Sequence, residues 1–203
     1  LPAGRSWQPH PTFSGRTPNL PFVTAHASVL AAGHQPHPPH SHIEEEILVV
    51  LDGTAELTVA AAEDDPSPRT LRASRGDFAY YPAYQHHTIR NVGDRPLTYF
   101  MVKWQGPPAA VERTLPVRFE ADPGFGQQAA GGPSLSADLL FEDATHFLGK
   151  LHAHRTTILP GGGYAAHADA HDIVIVVLSG RLHTLGREVG PDTILLHGGG
   201  EVH

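Results

Sequence analysis

The chain contains no cysteine, which removes disulfides, thiolate metal ligands and a cysteine nucleophile together. It is also poor in positive charge: 14 Lys and Arg stand against 21 Asp and Glu, for a net charge of −7. No basic stripe exists that could neutralise a nucleic-acid backbone, so nucleic acid is excluded as an expected partner. Long apolar runs are missing too. The longest, residues 173–178, is far shorter than the about 20 residues a membrane-spanning helix needs, so no membrane association is expected. The sequence opens LPAGRSW with no secretory apolar segment, which makes the cytoplasm the expected compartment. Apolar residues at helical spacing are scarce as well, and one short helix is expected, near residues 136–147.

What the chain has instead is glycine (21), proline (19) and histidine (16) among short β-branched runs. That composition predicts an all-β protein. The histidines include no consecutive run of tag type, so their positions carry information. Between Gly33 and Gly53 the sequence reads GHQPHPPHSHIEEEILVVLDG, with His40, His42 and Glu46 two and four residues apart. On a strand these side chains share a parity and face one way, whereas on a helix His40 and His42 would diverge by about 200°. Residues 47–51 are strand formers and Asp52-Gly53 is a hairpin signal, so the triplet reads as strand and entry loop. Two imidazoles and a carboxylate on one face suit a divalent metal that lacks a further ligand. GDFAYYPAYQHHTIRN, residues 76–91, offers two adjacent candidates, His86 and His87, at the start of another predicted strand.

The two stretches together resemble the two motifs of the cupin superfamily. The first falls on Gly33, His40, His42, Glu46 and Gly53, the second on Gly76, Pro82, His87 and Asn91. The resemblance implies a double-stranded β-helix, or jelly-roll barrel, and a metal held by His40, His42, Glu46 and His87, with His87 rather than His86 as the fourth ligand. Two positions depart from the pattern. Six residues rather than five separate Gly33 from His40, and Tyr84 stands where the second motif has glycine.

An internal repeat follows. His40 precedes His167 by the same interval as Gly53 precedes Gly180, and ILVVLDG is matched by VIVVLSG. At the end of the sequence GGGEVH matches part of the second motif, with His203 in the place of His87. The second copy is shorter between turn and histidine, opposite the acidic AAAEDDPSP loop of the first. In it His167 matches His40, Asp169 replaces His42 and Ile173 replaces Glu46. Because His171 shares parity with His167 and Asp169, a second site of His167, Asp169, His171 and His203 is expected to be altered, holding a metal, forming a metal-free polar pocket, or reduced to a structural remnant; Asp172 has the opposite parity. The second barrel, as far as this sequence runs, lacks the strands that follow His87 in the first.

The expected organisation is two tandem cupin barrels: residues 1–106 with the metal site, a Pro/Gly-rich surface connector at 107–134, and residues 135–203 with the altered site and an incomplete C-terminal end. Three imidazoles and one carboxylate leave a divalent ion with a formal charge of about +1, which attracts anionic or enolisable ligands. Iron, manganese, nickel, cobalt and zinc all suit such ligands. The resemblance implies a metal-dependent enzyme, dioxygenase-like, acting on a small oxygen-rich metabolite. The alternatives are a non-redox isomerase or lyase, or a sensing cupin without turnover; a homodimer is a further expectation. Among other polar residues, Glu44 and Glu45 read as a solvated charged bulge, Tyr80, Tyr81 and Tyr84 as wall or pocket-mouth residues, Arg90 as outward, and Trp104 as a lid or interdomain contact.

Overall fold

The computed structural model describes residues 1–121 and 134–203, and the central part of the expected connector, 122–133, lies outside the described residues. Among the described residues there are fifteen strands and no helix. The first half contains β1 (Trp7–Gly15), β2 (Phe22–Leu30), β3 (Glu45–Asp52), β4 (Ala55–Ala60), β5 (Arg69–Ala73), β6 (Phe78–Tyr81), β7 (His86–Asn91), β8 (Leu97–Gln105) and β9 (Arg118–Glu120). They form a six-stranded sheet in the order β1-β2-β8-β3-β6-β9 and a three-stranded sheet in the order β5-β4-β7. The second half contains β10 (Leu135–Asp143), β11 (Leu151–Ile158), β12 (Ile173–Val176), β13 (Leu182–Thr184), β14 (Arg187–Val189) and β15 (Ile194–His197), paired as β10-β11, β12-β15 and β13-β14.

Period-two alternation sorts each central strand between two cores. On β3, Leu48 and Val50 face the core of the first half with Leu57, Ala79, Tyr81, Ile89, Leu97 and Tyr99. Val49 and Leu51 face the other way and pack with Tyr80, Phe100, Val102 and Trp104 against Phe141 and Phe147 of the second half. A strand with both faces buried loses solvent on every side chain, which is why ILVVL is continuously apolar. Each large side chain so buried contributes about 1.5–3 kcal/mol. The turn after β3 needs its glycine: Gly53 has φ +92°, and a Cβ there would stand 3.0 Å from Leu97 Cα and 3.1 Å from Pro96 O.

Two expectations are corrected. Residues 136–147 form no helix; β10 covers most of them and pairs antiparallel with β11. An isolated segment of that length nucleates a helix poorly, whereas β11, LHAHRTTI with β-branched residues from Thr156 to Ile158, satisfies its backbone and lets Phe141 enter the core between the halves. The described part of the connector is not a mere surface strap either. Leu115 is 1 % exposed, and β9 adds an edge strand to β6 in register Phe78↔Glu120.

The repeat is visible in the backbone. Each half begins with an antiparallel hairpin carrying a register shift at the matching place, between Pro11 and Phe13 in one and between Leu139 and Phe141 in the other. The halves are joined by polar clasps as well as by the shared core. Arg75 donates to Leu51 O and to Leu178 O and pairs with Asp192. Thr17 donates to Asp172 Oδ2, and Asn19 Nδ2 lies 3.2 Å from Asp172 Oδ1, which also accepts from Gly199 N at 2.8 Å. Asp172, expected to face away from the second site, thus holds the start of β12 against the N-terminal loop.

Candidate metal centre

His40 and His42 precede β3, Glu46 lies within it, and His87 lies on β7. The entry loop is held to β7 by reciprocal backbone bonds, His40 N to His87 O at 3.1 Å and His87 N to His40 O at 3.0 Å. As a result the three imidazoles form a near-equilateral triangle, with centroids 5.4, 5.2 and 5.1 Å apart. One nitrogen from each falls within 4.8 Å of the others. Glu46 Oε2 stands 3.3 Å from His42 Nε2 and 3.5 Å from His87 Nε2. All four expected residues are therefore brought together, and His86, the rejected neighbour, is on the opposite parity of β7.

The ring orientations are set by the nitrogens pointing away from the cluster. His42 Nδ1 lies 2.9 Å from Glu44 O and His87 Nδ1 lies 2.8 Å from Gln85 O. A carbonyl accepts only, so each Nδ1 carries the proton and each Nε2 presents a lone pair inward. Behind His87 the Tyr81 ring stacks at 4.2 Å and 9°, which fixes the imidazole plane. Tyr84, in the place of the motif glycine, takes φ 64°. The turn requires the left-handed region whichever residue occupies it, and Tyr84 N still donates to His42 O at 2.7 Å.

Glu46 is fully buried; Oε2 pairs with Lys103, while Oε1 has no hydrogen-bond partner among the described residues, and the same holds for His87 Nε2 and His40 Nδ1. Buried polar atoms left in this way cost about 1–3 kcal/mol each unless something binds them. Burial alone would raise the Glu46 carboxyl, but His87, His42 and Lys103 beside it outweigh that and hold the group well below the usual carboxylate range. His40 is lowered to about 4, first by burial and then by His37, His87, His42 and Lys103. An ionised carboxylate surrounded by imidazoles with free lone pairs is the donor set a divalent first-row metal takes, so the residues present fit such an ion.

Two residues not anticipated from the sequence reach the same cavity. Lys103, on β8, places Nζ 3.0 Å from His42 Nε2 and 3.2 Å from Glu46 Oε2. His26, on β2, is lowered by burial first, then by Lys103, with Glu46 opposing. Their parity gives the signal: Lys103 alternates with the inward Leu97, Tyr99 and Met101, and His26 with the inward Leu30. A lone lysine at an inward position of LTYFMVKWQ was legible once β8 was placed.

Glu45 corrects the expectation of a solvated bulge. It is 0 % exposed and accepts from Tyr80 OH at 2.7 Å, Trp104 Nε1 at 2.8 Å, Thr145 Oγ1 at 2.7 Å and His146 N at 2.8 Å. Adjacent glutamates on β3 thus face opposite cores, one toward the imidazoles and one toward the second half. Glu44 is half-buried, with Oε2 3.4 Å from His42 Nδ1. Tyr80 and Tyr81 are buried while Tyr84 is 58 % exposed, and Arg90 is exposed as expected. Trp104 is buried in the core shared with Phe141 and Phe147 of the second half.

In the second half, His167, Asp169 and His203 converge, while His171 is exposed and stands outside the group. Its parity matches theirs, but residues 170–171 form a bend before β12 rather than extended strand, so alternation does not carry through to it.

The fold and the histidine–carboxylate cluster define an all-β protein of the cupin, or jelly-roll, architecture. Residues 28–103 match the family model for the cupin domain. Among solved structures, the chain superposes over its whole length on the protein Ylba from E. coli, with a TM-score of 0.67 at 13% identity, covering 78% of that chain. Half of it matches the Schizosaccharomyces pombe Cnp3 cupin domain (TM-score 0.41, 18% identity, 62% of that chain). A further 41% match is to an oxalate oxidase (TM-score 0.37, 21% identity, 42% of that chain). The chain spans less than two thirds of the length of these last two. No curated protein matches it. The domain match identifies a cupin domain at residues 28–103, and the likeness to Ylba shows the fold. No helix among the described residues is long and apolar enough to cross a membrane.

Proposed function

We propose that this protein is a divalent-metal-dependent bicupin enzyme, dioxygenase-like, acting on a small oxygen-rich anionic metabolite. The observation that carries the reading is the buried, ionised Glu46 carboxylate, paired with Lys103 on one oxygen and facing three imidazoles. His40, His42, Glu46 and His87 would hold the ion. When bound, it supplies Lewis-acid or redox chemistry with positions left for substrate and dioxygen if it is six-coordinate.

The protein's own residues shape what can enter. Lys103 sits at the cavity with a half-buried ammonium and can donate to a substrate carboxylate or enolate oxygen beside the ligand cluster, orienting it by a charge-assisted bond. His26 adds a second polar group on the β2 side, and the aromatic wall formed by Tyr81 and Tyr99 excludes water from the inner face. The Tyr81 hydroxyl, buried without a partner, is kept protonated by burial first and by the Glu46 charge second. It can donate a hydrogen bond inward but does not serve as a base.

The test is metal analysis of protein purified without chelators, with Glu46→Gln and His87→Ala beside it, followed by dioxygen uptake on enediols, catechols and hydroxy acids. Loss of metal in both variants and uptake dependent on it support the reading. Full metal content in both variants refutes it, and turnover without dioxygen moves the assignment to an isomerase or lyase.

A further inference from the structure

The second half rebuilds the scaffold of the first around a different ligand set. His167 and His203 exchange backbone bonds, N to O at 3.0 Å and 2.9 Å, as His40 and His87 do. His203 Nδ1 lies 3.2 Å from Glu201 O, two residues back, the contact that fixes His87. His167 Nδ1 lies 3.3 Å from Ala165 O in the same way. Tyr164 meets His167 edge-on where His37 meets His40. His197 stacks on His203 at 4.4 Å in the place where Tyr81 stacks on His87. Both rings therefore turn Nε2 to one point, and the carboxylate arrives there from the strand entry instead of from the strand: Asp169 Oδ2 is 3.3 Å from His167 Nε2 and 3.6 Å from His203 Nε2.

An ion pair would need one imidazole; here two converge on a single oxygen. Close by, His197 is 3 % exposed and its Nε2 has no hydrogen-bond partner. We propose that His167, Asp169 and His203 form a second divalent-metal site of the two-histidine, one-carboxylate type. Ile173 stands where Glu46 stands in the first half, so no fourth protein ligand comes from β12. A six-coordinate ion there would keep three positions for exogenous ligands. The site is more open to solvent than the first centre, since His167 is exposed where its counterpart His40 is half-buried. The chemistry it fits is a first-row divalent cation with a chelating oxygen ligand.

The probe is Co(II), whose visible absorption reports the ligand field, titrated anaerobically into the metal-stripped full chain. Two ions per chain are expected, with one absorption component lost in Asp169→Asn and in His167→Ala, both at exposed or half-exposed positions where folding is undisturbed. The double variant His42→Ala/Glu46→Gln should keep one ion, removed by adding Asp169→Asn. Stoichiometry and spectrum unchanged in Asp169→Asn and His167→Ala overturn the site, as does a folded His42→Ala/Glu46→Gln protein that binds no Co(II). A chain that binds one ion sensitive to Asp169 but not to Glu46 upholds this site and refutes the first.

Discussion

Replacing Glu45 by glutamine is the sharpest probe of how the metal-ligand strand is coupled to the second half. Oε1 accepts from Tyr80 OH and His146 N, and Oε2 accepts from Trp104 Nε1 and Thr145 Oγ1. Glutamine keeps one oxygen and turns an amide N–H₂ toward the other pair. Either hydroxyl, Tyr80 or Thr145, can rotate to accept from it, but neither His146 N–H nor Trp104 Nε1–H can. One fully buried donor is therefore opposed by a donor in both orientations. Losing a bond to a charged group and leaving its partner unsatisfied costs about 2–3 kcal/mol. At about 2–4 °C per kcal/mol for a chain of this size, the melting temperature should fall by roughly 4–12 °C. Glu45→Ala, which strands all the donors, should cost more. Urea unfolding followed by Trp104 emission measures it, with metal content checked in parallel because Glu45 touches no ligand atom. A Glu45→Gln protein within about 0.5 kcal/mol of the parent would mean that the carboxylate does not clamp residues 145–148 to β3.

Three further outcomes are expected. In metal-free protein His40 is held at about 4, by burial first, while the unfolded chain takes up that proton near 6.5; thermal stability should be level above about pH 6.5 and fall between there and about pH 4. A melting temperature unchanged across that window would contradict a buried neutral His40. Gly199→Ala should destabilise by about 1–3 kcal/mol, because its Cβ would meet Ala170 O at 2.7 Å and Asn19 Nδ2 at 2.4 Å; a calorimetric scan reads the loss, and wild-type stability would show that the N-terminal loop does not pack there. Lys103→Met should leave metal loading intact and weaken binding of a small carboxylate such as malonate by about 10–100-fold, the worth of one charge-assisted bond; an unchanged Kd would remove Lys103 from ligand binding.

Much of the first centre could be read from local order. His40, His42 and Glu46 share a face because strand side chains alternate, and the hairpin after Asp52 brings the later strands back beside β3. The choice of His87 over His86 follows from the same parity once β7 is paired with β4 in the register Val59↔His87. Parity also misled where the strand it presupposed was absent: His171 lies in a bend, and residues 136–147 had too little helical drive to resist pairing with β11.

Alternation along each strand, together with the turn glycines, pointed from the sequence alone to an all-β protein with an internal repeat and put His40, His42 and Glu46 on one face; the choice of His87 over His86 came from the resemblance to the cupin motif. Tertiary structure decided the rest. Whether Glu45 is solvated or clamped, which inward residue of β8 reaches Glu46, and whether Asp169 completes a ligand set depend on contacts between segments far apart in the chain. Their relative placement is set by sheet register and by the packing of one half on the other, and neither is encoded in any single stretch of residues.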